Sequence, residues 1–270
     1  MVPSALDPAP LFSRSPEASP LVTLSGIGKT YSNGTVALSG VDLRIGRSEF
    51  VSLLGPSGCG KSTVLRLIAG LGDLTAGSIH WAGGVDPKRG IGFVFQEPTL
   101  MPWATVADNV YLPLKLAGIG RRAARDRVAE ALEMVRLQGF GKAYPRELSG
   151  GMKMRVSIAR ALITRPSVLL MDEPFAALDE ITRSRLSHDL LELWHGRGWT
   201  VVFVTHSVFE SVYLSRRIVV MAARPGRIIA DLEIDAPYPR GEEFRTGTTY
   251  AGHCRAVSAE LRRAMAGEEG

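Results

Sequence analysis

Two stretches of the chain carry residues whose types and order suit work on a phosphate. The first is GPSGCGKST, running Gly55, Pro56, Ser57, Gly58, Cys59, Gly60, Lys61, Ser62 and Thr63, which fits G-x-x-x-x-G-K-[ST]. Its glycines let the backbone bend so that consecutive N–H groups face a β-phosphate at the positive end of the following helix. Lys61 is placed to reach β- and γ-phosphates, and the Ser62 hydroxyl to ligate magnesium. The second stretch, SVLLMDEP, ends an apolar run with Asp172 and Glu173. Asp172 would hold the metal beside Ser62, and Glu173 would polarise an attacking water.

Two further polar residues close apolar runs. Gln96 ends IGFVFQ and can reach the metal and the water. His206 ends TVVFVTH and can donate to a γ-phosphate. The carboxyl ends of parallel strands are where open α/β sheets bind ligands, so these positions favour chemistry over packing.

LSGGMKMRVSIARAL is a second anion-binding candidate. Ser149 reads as a helix N-cap, and Gly150 and Gly151 leave the first helical N–H groups open.

Such residues need a sheet and helices to hold them. VTLSGIGKTYSNGTVALSGVDLRIGRSEFVSLLG alternates apolar and polar residues around Asn33-Gly34, which predicts two or three antiparallel strands. FVSLLG, SVLLMDEP and TVVFVTHS are continuous apolar runs of the kind buried in parallel sheets. From about residue 104 to 165 the pattern turns helical, with Ala123, Val128, Ala131, Leu132 and Val135 on one face of a helix. A terminal hairpin is expected around Pro225-Gly226, then a polar tail from 237 that ends in a short helix, HCRAVSAELRRAMA. The fold class is therefore α/β: a mostly parallel core of the P-loop NTPase kind, an antiparallel β region before it and a helical subdomain inserted in it.

Composition narrows the setting. With 32 Lys and Arg against 27 Asp and Glu, the formal charge is +5, spread along the chain rather than blocked. We read it as a solvated surface and expect no nucleic-acid partner. Cys59 and Cys254 sit in no metal-binding or disulfide pattern. Residues 1–20, rich in Pro, Ser and Ala, read as a disordered leader rather than a secretory signal. No apolar run approaches the roughly 18 residues of a membrane span.

Taken in order, the phosphate loop, Gln96, LSGG, LLMDEP, the ALD of Ala177–Asp179 and His206 resemble the nucleotide-binding subunit of an ATP-binding cassette (ABC) transporter over residues 21–236. The resemblance implies ATP and Mg2+ as ligands, with Tyr31 stacked on adenine and Asp179 communicating across a dimer. It implies that Ser149, Gly150 and Gly151 bind the ATP held by a second such subunit, so that two copies sandwich two nucleotides. Met152 stands where the family's usual pattern has glutamine. The stretch QEPTLMPWATVADNV resembles the subfamily that imports nitrate, alkanesulfonates and taurine. By that likeness Leu100, Met101 and Trp103 would receive a helix of the membrane permease. Two permease subunits and a periplasmic or lipid-anchored solute-binding protein complete the implied system, at the cytoplasmic face of the inner membrane. The rival is a soluble ABC-type ATPase acting on DNA or ribosomes. It would need a long coiled-coil insertion or tandem cassettes, which this sequence lacks.

Overall fold

The computed structural model describes residues 20–84, 86 and 90–266. The leader expected over 1–20 lies almost wholly outside them.

Among the described residues nine strands form two sheets. β1 (Val22–Thr30), β2 (Val36–Ile45) and β4 (Ala76–Trp81) make an antiparallel sheet in the order β2-β1-β4. β3 (Phe50–Leu54), β5 (Ile91–Val94), β6 (Val168–Asp172), β7 (Thr200–Thr205), β8 (Arg217–Ala222) and β9 (Arg227–Glu233) make the second, in the order β5-β6-β7-β3-β8-β9. Only the β8–β9 hairpin in it is antiparallel. Every residue of β3, β6 and β7 is buried, as strands covered on both faces must be. The fold class expected from the sequence is the one found.

The helices pack in two layers. α1 (Lys61–Ile68) lies between the sheets, where Val64, Leu65, Leu67 and Ile68 join the side chains of β1, β2 and β3 in one core cluster. α2 (Val106–Leu116), α3 (Arg121–Met134), α4 (Gly150–Leu162) and α5 (Glu180–Arg197) share a second cluster on the other face of the parallel sheet. Its centre is aromatic: the Phe50 ring meets Trp194 edge-on at 5.6 Å and Phe203 at 6.0 Å. The buried stripe of α3 starts at Ala124, with Ala123 exposed, because only 124 continues the i, i+4, i+7 series through Val128 and Ala131.

The C-terminal part differs from the polar tail expected. After α6 (Val208–Leu214) and the hairpin come α7 (Glu242–Thr246) and α8 (Thr248–Ala266), the latter starting five residues earlier than the sequence suggested. Cys254, Val257 and Ala264 are buried against Leu54, Val212, Ile218 and Val220. Arg240 is buried too, donating to the carbonyls of Val212, Tyr213, Ser215, Ile234 and Ala236. Five acceptors replace a carboxylate partner, so a charge that periodicity cannot interpret holds this extension to the core. Among the described residues no helix is long and apolar enough to cross a membrane.

Candidate nucleotide-binding site

Strand register brings the polar residues to one edge. Leu54 pairs with Thr205, Asp172 with Val204 and Val94 with Met171. The residues just past these partners are the phosphate loop, His206, Glu173 and Gln96. Four adjacent strands, β5, β6, β7 and β3, therefore deliver them to the same carboxyl end.

The phosphate loop turns through Gly58 and Gly60, both with positive φ (79° and 93°). Gly60 is also the N-cap of α1, a left-handed position that only glycine takes without strain. Gly55 cannot carry a side chain, because a Cβ there would lie 2.5 Å from the Met221 carbonyl oxygen. Cys59 is buried beneath the loop, and burial pushes its thiol pKa up. It fills space rather than reacting.

Lys61 Nζ donates to the carbonyls of Gly55 and Pro56, each at 2.9 Å, and lies 3.9 Å from a Glu173 oxygen. Ser62 Oγ donates to Asp172 Oδ1 at 2.7 Å. Burial is the main influence on Asp172 and raises its pKa; the Ser62 hydrogen bond opposes it and the neighbouring Glu173 charge adds to it. Glu173 has φ +45°, and its N–H donates to the Val204 carbonyl at 3.0 Å. That strained turn aims its carboxylate back across the strand end, where Oε2 lies 3.3 Å from His206 Nδ1. Tyr31 is exposed, its hydroxyl 3.2 Å from Thr63 Oγ1. Gln96 is exposed just beyond β5.

The second glycine pair belongs to another face. Ser149 caps α4 by accepting from the Met152 N–H at 3.3 Å, and Ser149 and Gly150 are exposed. Gly151 is buried against α5: a Cβ there would meet Thr182 Cγ2 at 2.6 Å. Asp179 caps α5, accepting from the Thr182 N–H at 2.9 Å, and this bond keeps its pKa below the usual carboxylate range. LSGG thus sits beside the Asp179 turn rather than on the phosphate loop of its own chain. Met152 is half-buried in the helical cluster.

Of the docking trio, Trp103 is 77% exposed, while Leu100 and Met101 are half-buried and Leu100 packs on the helical core. The loop carrying them is tied from behind. Arg160 of α4 donates to the carbonyls of Pro98 and Thr99 and to Thr99 Oγ1, each at 2.8 Å. Fully buried Asn109 accepts from the Met101 N–H and donates to the carbonyls of Met101, Ala104 and Thr105. Sequence reasoning quoted the stretches that contain Arg160 and Asn109 but gave neither residue a role, since their partners are backbone carbonyls of a loop that only the fold brings to them. It also missed Arg183 and Glu210, four residues after Asp179 and His206, where one helical turn was the available signal.

The family model described as ABC transporter matches residues 38–176. An aliphatic sulfonates import ATP-binding protein, SsuB, of Bacillus cereus is 46% identical over 226 residues, 82% of this chain and 89% of that one. An uncharacterized ABC transporter ATP-binding protein of Methanocaldococcus jannaschii is 49% identical over 212 residues, 77% of this chain and 79% of that one. Among solved structures, a dimeric ATP-binding cassette bound to ADP and Pi superposes with a TM-score of 0.69 at 35% identity, covering 80% of this chain and all of that one. The cbiO1 component of an ABC transporter complex from Clostridium perfringens gives 0.73 at 29% identity, covering 80% and 89%. Motif order, strand-end geometry and these matches agree: the chain belongs to the ABC transporter family.

Proposed function

We propose that this chain binds and hydrolyses ATP as the energising subunit of a bacterial importer for a small organic anion of the sulfonate type. The observation that carries the proposal is the convergence of Lys61, Ser62, Asp172, Glu173 and His206 at one strand edge, with Ser62 2.7 Å from Asp172, and Glu173 3.3 Å from His206 and 3.9 Å from Lys61.

Each residue has a part that its position suits. The loop N–H groups and Lys61, after leaving the Gly55 and Pro56 carbonyls, hold the β- and γ-phosphates. Ser62 and Asp172 offer a hydroxyl and a carboxylate oxygen at one point, a hard donor pair suited to Mg2+. Held by this pair, Mg2+ would have room to draw on water and phosphate oxygens as well. When bound, Mg2+ neutralises developing charge on the phosphates. Glu173 accepts hydrogen bonds from the attacking water and orients it, Gln96 contacts metal and water, and His206 donates to the γ-phosphate. Tyr31 provides the ring for adenine.

Ser149 and Gly150 stand exposed beside Asp179, so their helix N-terminus is free to meet the ATP of a second copy. A homodimer with two sandwiched nucleotides follows, with Asp179 at its communicating turn. Exposed Trp103, with Leu100 and Met101 behind it, is the surface offered to a transmembrane permease at the cytoplasmic face of the membrane. A pair of permease subunits and an external solute-binding protein complete the assembly. The sulfonate cargo is supported by the Bacillus relative and by the QEPTLMPW segment.

The test is reconstitution of the chain with its permease and solute-binding protein in vesicles. Alkanesulfonate should stimulate ATP hydrolysis and accumulate inside. Hydrolysis that ignores both partners and every anion tried would overturn the importer assignment.

A further inference from the structure

We infer that Arg183 and Glu210 are positioning residues that lock the Glu173–Asp179 turn to the His206 turn, so that both reach the nucleotide as one unit. The inference rests on the roles given above to Glu173, Asp179 and His206, and it adds what holds them in register.

Arg183 lies one turn into α5, yet its guanidinium folds back over the preceding loop. Nη2 donates to the Leu178 carbonyl at 2.9 Å and Nε to the Phe175 carbonyl at 3.4 Å. These carbonyls span the segment between the water-orienting Glu173 and Asp179. The same Nε lies 3.4 Å from Glu210 Oε1, and Nη1 is 3.2 Å from the exposed Glu180. Glu210 stands one turn into α6, its side chain 11% exposed. Its other oxygen accepts from Thr205 Oγ1. Thr205 Oγ1 in turn accepts from the Ser207 N–H at 3.0 Å, and Ser207 Oγ accepts from the Glu210 N–H at 3.3 Å. The turn carrying His206 is thereby closed on itself and tied through one carboxylate to Arg183.

Burial gives the bridge its weight. An exposed ion pair contributes little, but this one is largely removed from water and each partner makes further hydrogen bonds. Removing Arg183 takes a donor from the Leu178 and Phe175 carbonyls and the counter-charge from Glu210, removing Glu210 cuts the link to Thr205, and in either case the two loops can shift independently. A sub-ångström displacement at a water-orienting group is enough to cost turnover.

The C-terminal extension holds the same two helices at the adjacent residues. Arg245 donates to the Ser184 hydroxyl and carbonyl, and Tyr250 donates to the Phe209 carbonyl at 3.0 Å. The extension braces the bridge from outside, next to Arg183 on one helix and Glu210 on the other.

The experiment measures kcat, KM and ATP affinity on the full chain for Arg183→Ala, Glu210→Ala, the double variant and Glu210→Gln, with Glu173→Gln as reference. Positioning predicts that each alanine variant loses about tenfold in kcat while ATP affinity stays within about twofold. The double variant should be no worse than the poorer single one, because the pair acts as a unit. Glu210→Gln, whose single amide oxygen serves Thr205 or Arg183 but not both, should stay folded, keep its ATP affinity and show the same loss of kcat as Glu210→Ala. Unchanged kcat in the alanine variants, additive losses, or kcat and affinity falling together with the melting temperature would each overturn the inference. If Glu173→Gln itself turns over normally, the site assignment fails instead, and the two failures are told apart.

Discussion

Ser62 and Asp172, 110 positions apart in sequence, meet at 2.7 Å through a hydroxyl-to-carboxylate hydrogen bond. The contact involves the carboxylate proposed above to hold Mg2+, and burial is unfavourable to its charge. Asp172→Asn should therefore stabilise the protein without nucleotide while weakening Mg2+-dependent ATP binding. The sign follows from the raised pKa. Protonation relieves the desolvation of Asp172, so its stabilising contribution is present at low pH and is lost as pH rises through the folded value. The melting-temperature gain of Asp172→Asn over wild type should be larger at neutral pH than near the ordinary carboxylate range, at about pH 4. Melts at both values without nucleotide check it; a gain that grows toward acid contradicts the assignment.

Glu173→Gln keeps the shape of the strained turn but removes the charge to which the proposed function gives the orienting of water. Turnover should fall by at least about 100-fold, with ATP affinity nearly unchanged. ATP should then hold the protein as a dimer, seen by light scattering.

Trp103→Ala separates docking from folding. Its ring is 77% exposed, so the melting temperature and the isolated ATPase rate should barely move, as for surface changes of within about 0.5 kcal/mol. Loss of an aromatic anchor should cost about 2 kcal/mol of permease binding, roughly thirtyfold in Kd. Pull-down of the permease and a thermal melt on the same variant decide the matter.

Arg240→Met keeps the volume but removes the donors from five carbonyls. An unsatisfied buried acceptor costs about 1–3 kcal/mol, so even with partial rehydration the variant should lose about 3 kcal/mol. Urea unfolding reads the loss. Faster proteolytic removal of α7 and α8 should accompany it, since Arg240 is where the extension is fastened.

How much of this was legible beforehand depends on the range of the signal. The phosphate loop is local: Gly58 and Gly60 are needed for positive φ within one turn, and Lys61 and Ser62 follow in the same motif. The apolar runs of β3, β6 and β7 announce strands covered on both faces. Ser149, as a helix N-cap, is equally local, because a cap is decided within four residues. The α/β class and the chemistry at each strand end could therefore be read from the chain itself.

What only the tertiary structure decided are the contacts between strand ends and the fate of polar residues outside motifs. Sheet order β5-β6-β7-β3 sets Gln96, Glu173, His206 and the phosphate loop side by side, and hydrogen-bond register across crossovers has no local code. The tail after residue 236 looked polar because its buried anchor is an arginine. Its apolar face is small, resting on Cys254, Val257 and Ala264. Arg183 and Glu210 read as ordinary helix-surface charges until α5 and α6 are brought together. A long charged side chain shows its partner only when the fold removes water from around it.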